Sequence, residues 1–147
     1  RIISETETKI TAIERGLKKN IPLPEAVSRA ACDLASQIDA QAIVTSTLSG
    51  GSALRLSKYR PDIPIIAFTP YPEIRRRMSL YWGVTSQDMP MLDTSDDIFQ
   101  EMTKGIRSAR LAKKAQHVVM ISQASRSQEQ KKETDPADLI KVHRMES

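Results

Sequence analysis

Apolar residues recur along this chain at two spacings, one typical of buried strands and one typical of helices. Unbroken apolar or β-branched runs occupy residues 42–45, 64–68 and 118–121, and such runs favour strands that are covered on both faces. Between the runs, apolar residues lie three or four positions apart, which predicts amphipathic helices. Strands that alternate with helices in this way predict a mainly parallel sheet covered by helices.

Five helices are predicted from the three-to-four spacing, each with a recognisable start or stop signal. The first carries Ile3, Ile10, Ile13 and Leu17, and the second starts at Leu23-Pro24-Glu25 with the stripe Val27, Ala30, Ala31, Leu34 and Ile38. The third lies between residue 53 and the stop at Arg60-Pro61, and the fourth carries Ile74, Met78 and Tyr81 up to Gly83. The fifth follows a cap within residues 93–97 and carries Ile98, Met102, Ile106 and Ala109.

Two further stretches complete the expected sheet. Val84 follows the fourth helix and marks a short strand, whereas residues 139–143 alternate like an edge strand. A polar stretch from Ser122 to Pro136 separates this edge strand from the run at 118–121. At 147 residues the chain fits one domain, 1–147, in which residues 1–40 form a helical entry region.

The amino-acid composition indicates a globular protein without a membrane span. A hydrophobic fraction of 39% with 27% charged residues is globular, and no window approaches the roughly 18 apolar residues of a membrane span. The first residues show no signal peptide. The single cysteine, Cys32, allows no internal disulfide. These features predict a cytoplasmic protein without a membrane partner.

The positive charge favours a small anion over nucleic acid as the partner. The net charge is +4, but the 22 basic residues are scattered among 18 acidic ones, whereas nucleic-acid binding usually gathers basic residues on one face. Aromatic residues make up only 4% of the chain, too few for the stacking platforms of single-strand binders.

One loop combines the parts of a phosphate site. It directly follows the first predicted strand and comprises Thr47, Leu48, Ser49, Gly50, Gly51 and Ser52. Its glycines let backbone N–H groups approach an anion, its hydroxyls can donate hydrogen bonds, and the next helix presents its positive end. The loop matches neither the P-loop nor the dinucleotide-binding motif, and it fits a tight turn with a serine cap equally well.

The remaining chemically active residues have structural interpretations. Cys32 lies beside an alanine-rich stripe, which favours a packed and inert thiol. His117 and His143 lack neighbours at metal-ligand spacing. Arg75, Arg76 and Arg77 point in different directions on a helix, so a solvated face or a subunit contact is expected. Trp82 fits either a core position or an interface anchor. No set of residues in the sequence is recognisable as a catalytic site.

Three stretches resemble the C-terminal domain of pyruvate kinases, bacterial members above all. They are residues 42–53 (AIVTSTLSGGSA), residues 57–69 (SKYRPDIPIIAFT) and residues 76–84 (RRMSLYWGV), with 139–143 (LIKVH) resembling the closing strand. The resemblance spans nearly the whole chain and is weakest over residues 122–136. Nothing in the sequence resembles the catalytic barrel of that family.

The resemblance implies a three-layer α/β/α domain with a mostly parallel five-stranded sheet whose last strand is antiparallel. It further implies that residues 47–52 bind the phosphate of an allosteric sugar phosphate or nucleotide. An outer face would pack against a second copy, giving a dimer of the domain or a tetramer of the parent enzyme. The domain itself would need no cofactor and would not transfer phosphate alone, whereas the parent enzyme would use Mg and K.

The loop before the last strand is the second element that the resemblance assigns to the effector. In this chain Arg126, Lys131 and Lys132 lie there and are able to supply positive charge to a phosphate. A long charged loop is also commonly just solvated, and the sequence leaves both interpretations open.

Overall fold

The computed structural model describes residues 20–123 and 137–146. Within these ranges, four helices and five strands follow one another in the order α1 (Leu23–Gln37), β1 (Ala42–Ser46), α2 (Gly51–Lys58), β2 (Ile65–Thr69), α3 (Pro72–Met78), β3 (Val84–Asp88), α4 (Ser95–Ser108), β4 (His117–Gln123) and β5 (Ala137–Arg144). None of these helices is long and apolar enough to cross a membrane. The predicted helix over Ile3 to Leu17 lies outside the described residues.

The strands form one sheet in the order β3-β2-β1-β4-β5. β1 is parallel to β2 and to β4, and β2 is parallel to β3. β5 runs antiparallel to β4 at the edge of the sheet. This arrangement confirms the expected fold class, a mostly parallel sheet with an antiparallel last strand. The short strand expected at Val84 is present as β3.

The central strands are buried because helices cover both faces of the sheet. On one face α4 packs its Phe99, Met102 and Ile106 against side chains of β1, β2 and β4. On the other face α1, α2 and α3 cover the alternate residues, among them Ile43 and Ile65. Residues 20–123 and 137–146 therefore form three layers, with one described helix on one side of the sheet and three on the other.

The inward face of α1 includes part of the predicted stripe, since Ala31 is buried and Val27 and Leu34 pack partly buried against the same core. Its buried residues are Ser28, Ala31, Cys32 and Ala35. Ala30 is exposed, and Ile38, which caps the helix, is 37% exposed. Small residues line this face because α1 lies close to the sheet and to α2. Ser28 can be buried there because its hydroxyl donates to the carbonyl of Pro24 within the helix, at 2.9 Å.

The helix α3 ends earlier than the sequence predicts. It stops at Met78, so Tyr81 lies in the following turn and not on the helix. In this turn Leu80 is 85% exposed and Trp82 is 46% exposed. Trp82 therefore occupies a surface position. This excludes the interpretation of Trp82 as a core residue.

The helix α4 shows the expected capping and an unexpected close contact. The Oγ1 of Thr94 accepts a hydrogen bond from the N–H of Asp97 at 3.2 Å, so the predicted cap is confirmed. Midway along the helix, a Cβ at Gly105 would lie 2.5 Å from Cε1 of Phe68. Real atoms do not approach so closely, so glycine at this position lets α4 lie directly on the ring of the buried Phe68.

We expect the substitution Gly105→Ala to destabilise the chain. The methyl group would force Phe68 or α4 to move, and overpacking of this kind typically costs about 1–3 kcal/mol. The better helix propensity of alanine would offset about 1 kcal/mol of that cost. Urea unfolding of the chain measures the difference, with the exposed Lys104→Ala on the same helix as control. A Gly105→Ala chain that is more stable than the control would contradict the close contact.

Candidate functional site

The predicted phosphate loop lies at the carboxyl end of β1, in the middle of the sheet. The chain leaves β1 towards β2 on one side, and β4 later enters on the other side of β1. Open α/β sheets bind ligands where the strand order reverses in this way, outside the carboxyl ends of the strands. The loop of residues 47–52 therefore occupies the position in this fold that is best suited to a ligand.

A left-handed glycine shapes this loop. Gly50 has φ 86° and ψ −2° and immediately precedes α2, a conformation that glycine adopts readily and other residues rarely do. Its N–H donates to Oγ1 of the buried Thr47 at 2.9 Å. The N–H of Thr47 in turn donates to the carbonyl of Phe68 at 2.9 Å, which ties the loop to β2.

The six predicted site residues divide into supporting and accessible groups. Thr47 and Ser52 are buried, and the Oγ of Ser52 lies 2.9 Å from Oγ1 of Thr45, within hydrogen-bonding distance. The hydroxyls of Thr47 and Ser52 therefore hold the loop in shape. Ser49 and Leu48 are exposed, and Oγ of Ser49 accepts a hydrogen bond from the N–H of Gly51 at 3.2 Å. Ser49 is thus the loop hydroxyl that a ligand can reach most directly.

The start of α2 adds positive potential to the loop. The first N–H groups of any helix have no carbonyl partner within that helix, and they carry the positive end of its dipole. In α2 these groups begin at Gly51, since Leu54 is the first residue whose N–H reaches back to a carbonyl, that of Gly50, at 3.0 Å. The arrangement is suited to an anion.

The guanidinium of Arg55 is a part of the site that the sequence analysis did not identify. A Cβ at Gly51 would lie 3.4 Å from Nη1 of Arg55, so this half-buried side chain reaches back along α2 to the loop. Helical side chains point towards the N-terminus of their helix, and residues four apart share a face. The spacing from Gly51 to Arg55 was the signal that would have revealed it.

The helix α3 supports the loop from the other side. A Cβ at Gly50 would meet the hydroxyl of Tyr81 at 3.4 Å and side-chain atoms of Ile74 and Met78 at 3.6 Å. Any larger residue at position 50 would therefore combine backbone strain with contact against α3. The loop is held by β2, α2 and α3 together.

The other predicted candidates fall outside this site. Arg126, Lys131 and Lys132 lie outside the described residues. Arg75 donates to a carboxylate oxygen of Asp88 at 2.7 Å on the surface. Among residues 20–123 and 137–146, no three His, Cys, Asp or Glu side chains are placed to hold a metal ion.

Two side chains outside the loop, Cys32 and His143, have shifted pKa values. Burial, with a smaller effect from Asp33, raises the pKa of Cys32 to about 11. The thiol is therefore protonated at neutral pH, as expected for a packed, unreactive cysteine. Burial, followed by the nearby charges of Lys141 and Arg107, lowers the pKa of His143. Its imidazole accordingly favours the neutral form.

Comparison with known proteins agrees with this architecture. The model of the family described as "Pyruvate kinase, alpha/beta domain" matches residues 25–143. A pyruvate kinase of Agrobacterium vitis is 37% identical over 99 residues, which cover 67% of this chain and 21% of that protein. A pyruvate kinase of Clostridium perfringens is 34% identical over 110 residues, covering 72% of this chain and 23% of that protein.

A solved structure shows the same fold. The crystal structure of a pyruvate kinase from Cryptosporidium parvum superposes with a TM-score of 0.73 at 24% identity. The match covers 92% of this chain and 25% of the Cryptosporidium chain. The matched region thus makes up between a fifth and a quarter of the length of these relatives.

We expect Ser52→Ala to destabilise the chain and Ser49→Ala to leave its stability nearly unchanged. The first substitution removes a buried partner of the Thr45 hydroxyl, which costs about 1–2 kcal/mol. The second removes an exposed hydroxyl, and such changes usually stay within about 0.5 kcal/mol. Thermal and urea unfolding of both variants measure the difference. Equal stability of the two variants would show that the inward hydroxyls do not hold the loop.

Proposed function

Because the chain belongs to the family of pyruvate kinase α/β domains, we propose that it serves as the C-terminal regulatory and subunit-association domain of a pyruvate kinase. Its regulatory part is the loop of residues 47–52, which binds a phosphorylated effector. Its association part is the β5 edge of the sheet. The parent enzyme transfers phosphate from phosphoenolpyruvate to ADP with residues that belong to another domain.

The observation that carries the regulatory proposal is the convergence of three anion-binding features on one loop. Gly50 turns the backbone into α2, the first N–H groups of α2 open onto the loop, and the Arg55 guanidinium lies beside Gly51. Helix N-termini and guanidinium groups both favour phosphate. The loop also lies at the strand-order reversal, where open α/β sheets usually bind their ligands.

Each group in the loop has a separate task in this proposal. The amides of the first turn of α2 and the hydroxyl of Ser49 donate hydrogen bonds to phosphate oxygens, while Arg55 neutralises their charge. The buried hydroxyls of Thr47 and Ser52 keep the loop in its binding shape before the ligand arrives. A preformed loop loses less conformational freedom on binding, and this strengthens the complex.

The association proposal rests on the exposed outer edge of β5. Among the described strands, β5 has β4 as its sole neighbour, so one side of its backbone is open to pairing. Leu139, Ile140 and Val142 on this strand are 41%, 37% and 44% exposed. An edge with unpaired backbone groups and apolar side chains is a template for another strand. Two copies pairing β5 with β5 form a closed, two-fold dimer.

A second candidate function is an assembly module of the same fold whose loop binds no phosphate. It is favoured by the inward engagement of Thr47 and Ser52, since these hydroxyls already have partners. In that case the β5 edge would act alone. Ligand binding separates the two candidates.

Regulation of the parent enzyme requires that the effector favour one subunit arrangement over another. A ligand shifts an equilibrium only by the difference between its affinities for the two states. In the proposed domain the ligand loop follows β1 while the association edge is β5, with β4 between them. Movement of the sheet as one body would carry the effect from the loop to the subunit contact.

We expect phosphorylated ligands to raise the melting temperature of this chain. Fructose 1,6-bisphosphate, ribose 5-phosphate and AMP are the probes, each compared with its unphosphorylated counterpart. A ligand at a hundred times its Kd stabilises by about 2.7 kcal/mol. Arg55→Gln and Ser49→Ala should each reduce the shift. The exposed Arg77→Gln on α3 is the matched control and should retain it.

The outcome of this titration decides between the two candidate functions. A shift that requires the phosphate and is lost in Arg55→Gln supports the regulatory role. No shift with any of the three ligands supports the assembly module with a silent loop. A shift that survives both loop variants would show that phosphate binds elsewhere on the chain.

We expect the chain to form dimers through β5 in sedimentation equilibrium. The double substitution Ile140→Lys and Val142→Lys should give monomers, because it places two positive charges on each side of the paired edge. Leu80→Lys adds a charge at an exposed position outside β5 and should leave the dimer intact. Circular dichroism confirms that the variants are folded. A dimer that persists in the double variant would exclude the β5 edge as the contact.

A further inference from the structure

Basic residues that are spread along the sequence come together at the end of the sheet where β4 begins. The stretch from residue 102 to residue 123 contains five lysines and arginines and no aspartate or glutamate. It covers the second half of α4, the connection to β4, and β4 itself. All five basic side chains are exposed. None of them forms a salt bridge with a described residue.

The strand β5 extends this basic surface. Its end is bonded to the α4–β4 connection, because the N–H of Ala115 donates to the carbonyl of Met145 at 2.8 Å and the N–H of Met145 donates to the carbonyl of Gln116 at 2.8 Å. Further along β5, the ammonium group of Lys141 lies 5.2 Å from the centre of the Phe99 ring on α4. The end of α4, the connection and β5 therefore form one continuous surface.

The positive charges on this surface lie close enough to act on a common neighbour. After burial, the charges of Lys141 and Arg107 are the causes that lower the pKa of His143, while Glu146 acts in the opposite direction. We name this surface the basic patch, and its members are Arg107, Arg110, Lys113, Lys114 and Lys141.

Arg110 has a backbone conformation that suits glycine better. At the end of α4 the N–H of Leu111 donates to the carbonyl of Ile106 at 3.0 Å, and the N–H of Arg110 donates to the carbonyl of Arg107 at 3.2 Å. This pair of hydrogen bonds usually accompanies a left-handed glycine, but here Arg110 takes that position with φ 55°. A left-handed conformation is disfavoured for a residue with a Cβ. The backbone thus gives no reason for an arginine here, which points to a use of its side chain.

The composition of the basic patch limits the kind of partner that it fits. The exposed aromatic residues of the described chain are Tyr59, Tyr71 and Trp82, which lie at the ends of α2 and α3 and not on α4 or β5. The patch therefore has no platform on which unpaired bases could stack. Its exposed cations recognise negative charge, and a partner with densely spaced charges gains most from them.

We propose that the basic patch binds double-stranded nucleic acid through its phosphate backbone, without regard to base sequence. A DNA duplex carries one negative charge about every 1.7 Å along its axis, and cations that neutralise its phosphates release condensed counterions. An extended acidic peptide carries at most one charge about every 3.3 Å, so cations gain less from it. Guanidinium and ammonium groups both bind phosphate.

The fold changes what the charge of this chain implies. The spread of basic residues along the sequence favours a small anion over nucleic acid. The structure nevertheless places five of them on one surface, at the opposite end of β1 from the loop of residues 47–52. Basic residues gathered on one face are the arrangement that nucleic-acid binding needs.

The salt dependence of duplex binding tests the proposal on the full chain. Fluorescence anisotropy of a labelled DNA duplex of about 20 base pairs measures the affinity, and we expect a Kd of about 10⁻⁵ M at 50 mM salt. Each phosphate contact contributes about −0.9 to the slope of log K against log salt concentration, so five contacts predict a slope of about −4.5. A duplex of unrelated base sequence should bind equally well.

Three variants connect this binding to the basic patch. The double substitution Lys113→Gln and Lys114→Gln should weaken binding and reduce the magnitude of the slope by about two. Arg110→Gly should reduce it by about one, and it retains the fold because glycine suits the left-handed backbone. The double substitution Arg76→Gln and Arg77→Gln on α3 removes the same charge outside the patch and should leave the slope unchanged.

The outcomes also separate the basic patch from the phosphate loop. Steep salt dependence that is reduced in both patch variants and retained in the α3 control supports the proposal. Arg55→Gln should leave duplex binding unchanged, whatever its effect on phosphorylated ligands. The proposal would be overturned by no binding at 50 mM salt or by equal slopes in the patch variants and the control. Tighter binding to polyglutamate or to phosphatidylserine vesicles, at the same concentration of negative charge, would also overturn it.

Discussion

The complete burial of β1 is the constraint on which the rest of the structure depends. Ala42, Ile43 and Val44 are each fully buried, with β2 on one side of the strand and β4 on the other. Its alternate residues enter two different cores, one under α4 and one under α1 and α2. A strand of this kind must have helices on both faces. The three-layer architecture therefore follows from five residues in the middle of the chain.

The same strand leads into the loop that is proposed to bind a ligand. The chain continues from β1 towards β2, and β4 lies on the other side of β1, so the loop lies at the reversal of strand order where open α/β sheets usually bind ligands. Thr45, the last fully buried residue of the strand, contacts Ser52 at the start of α2. Core packing thus continues into the loop without a break. The shape of the loop is therefore part of the fold.

Sequence patterns predicted the strands better than the helices, for a physical reason. Buried parallel strands are apolar throughout, so their runs are visible in isolation. The inward face of α1 was predicted only in part, because small and polar residues such as Ser28 and Ala35 also pack there, and no periodicity distinguishes them from surface residues. The early end of α3 was missed because Tyr81 has the spacing of a helical residue but lies in a turn.

The candidate phosphate loop was predictable where its residues are consecutive in the sequence. The glycines and hydroxyls of the loop are consecutive, so their composition revealed them. Which hydroxyls face inward depends on Thr45 and on β2, and only the packed structure shows this.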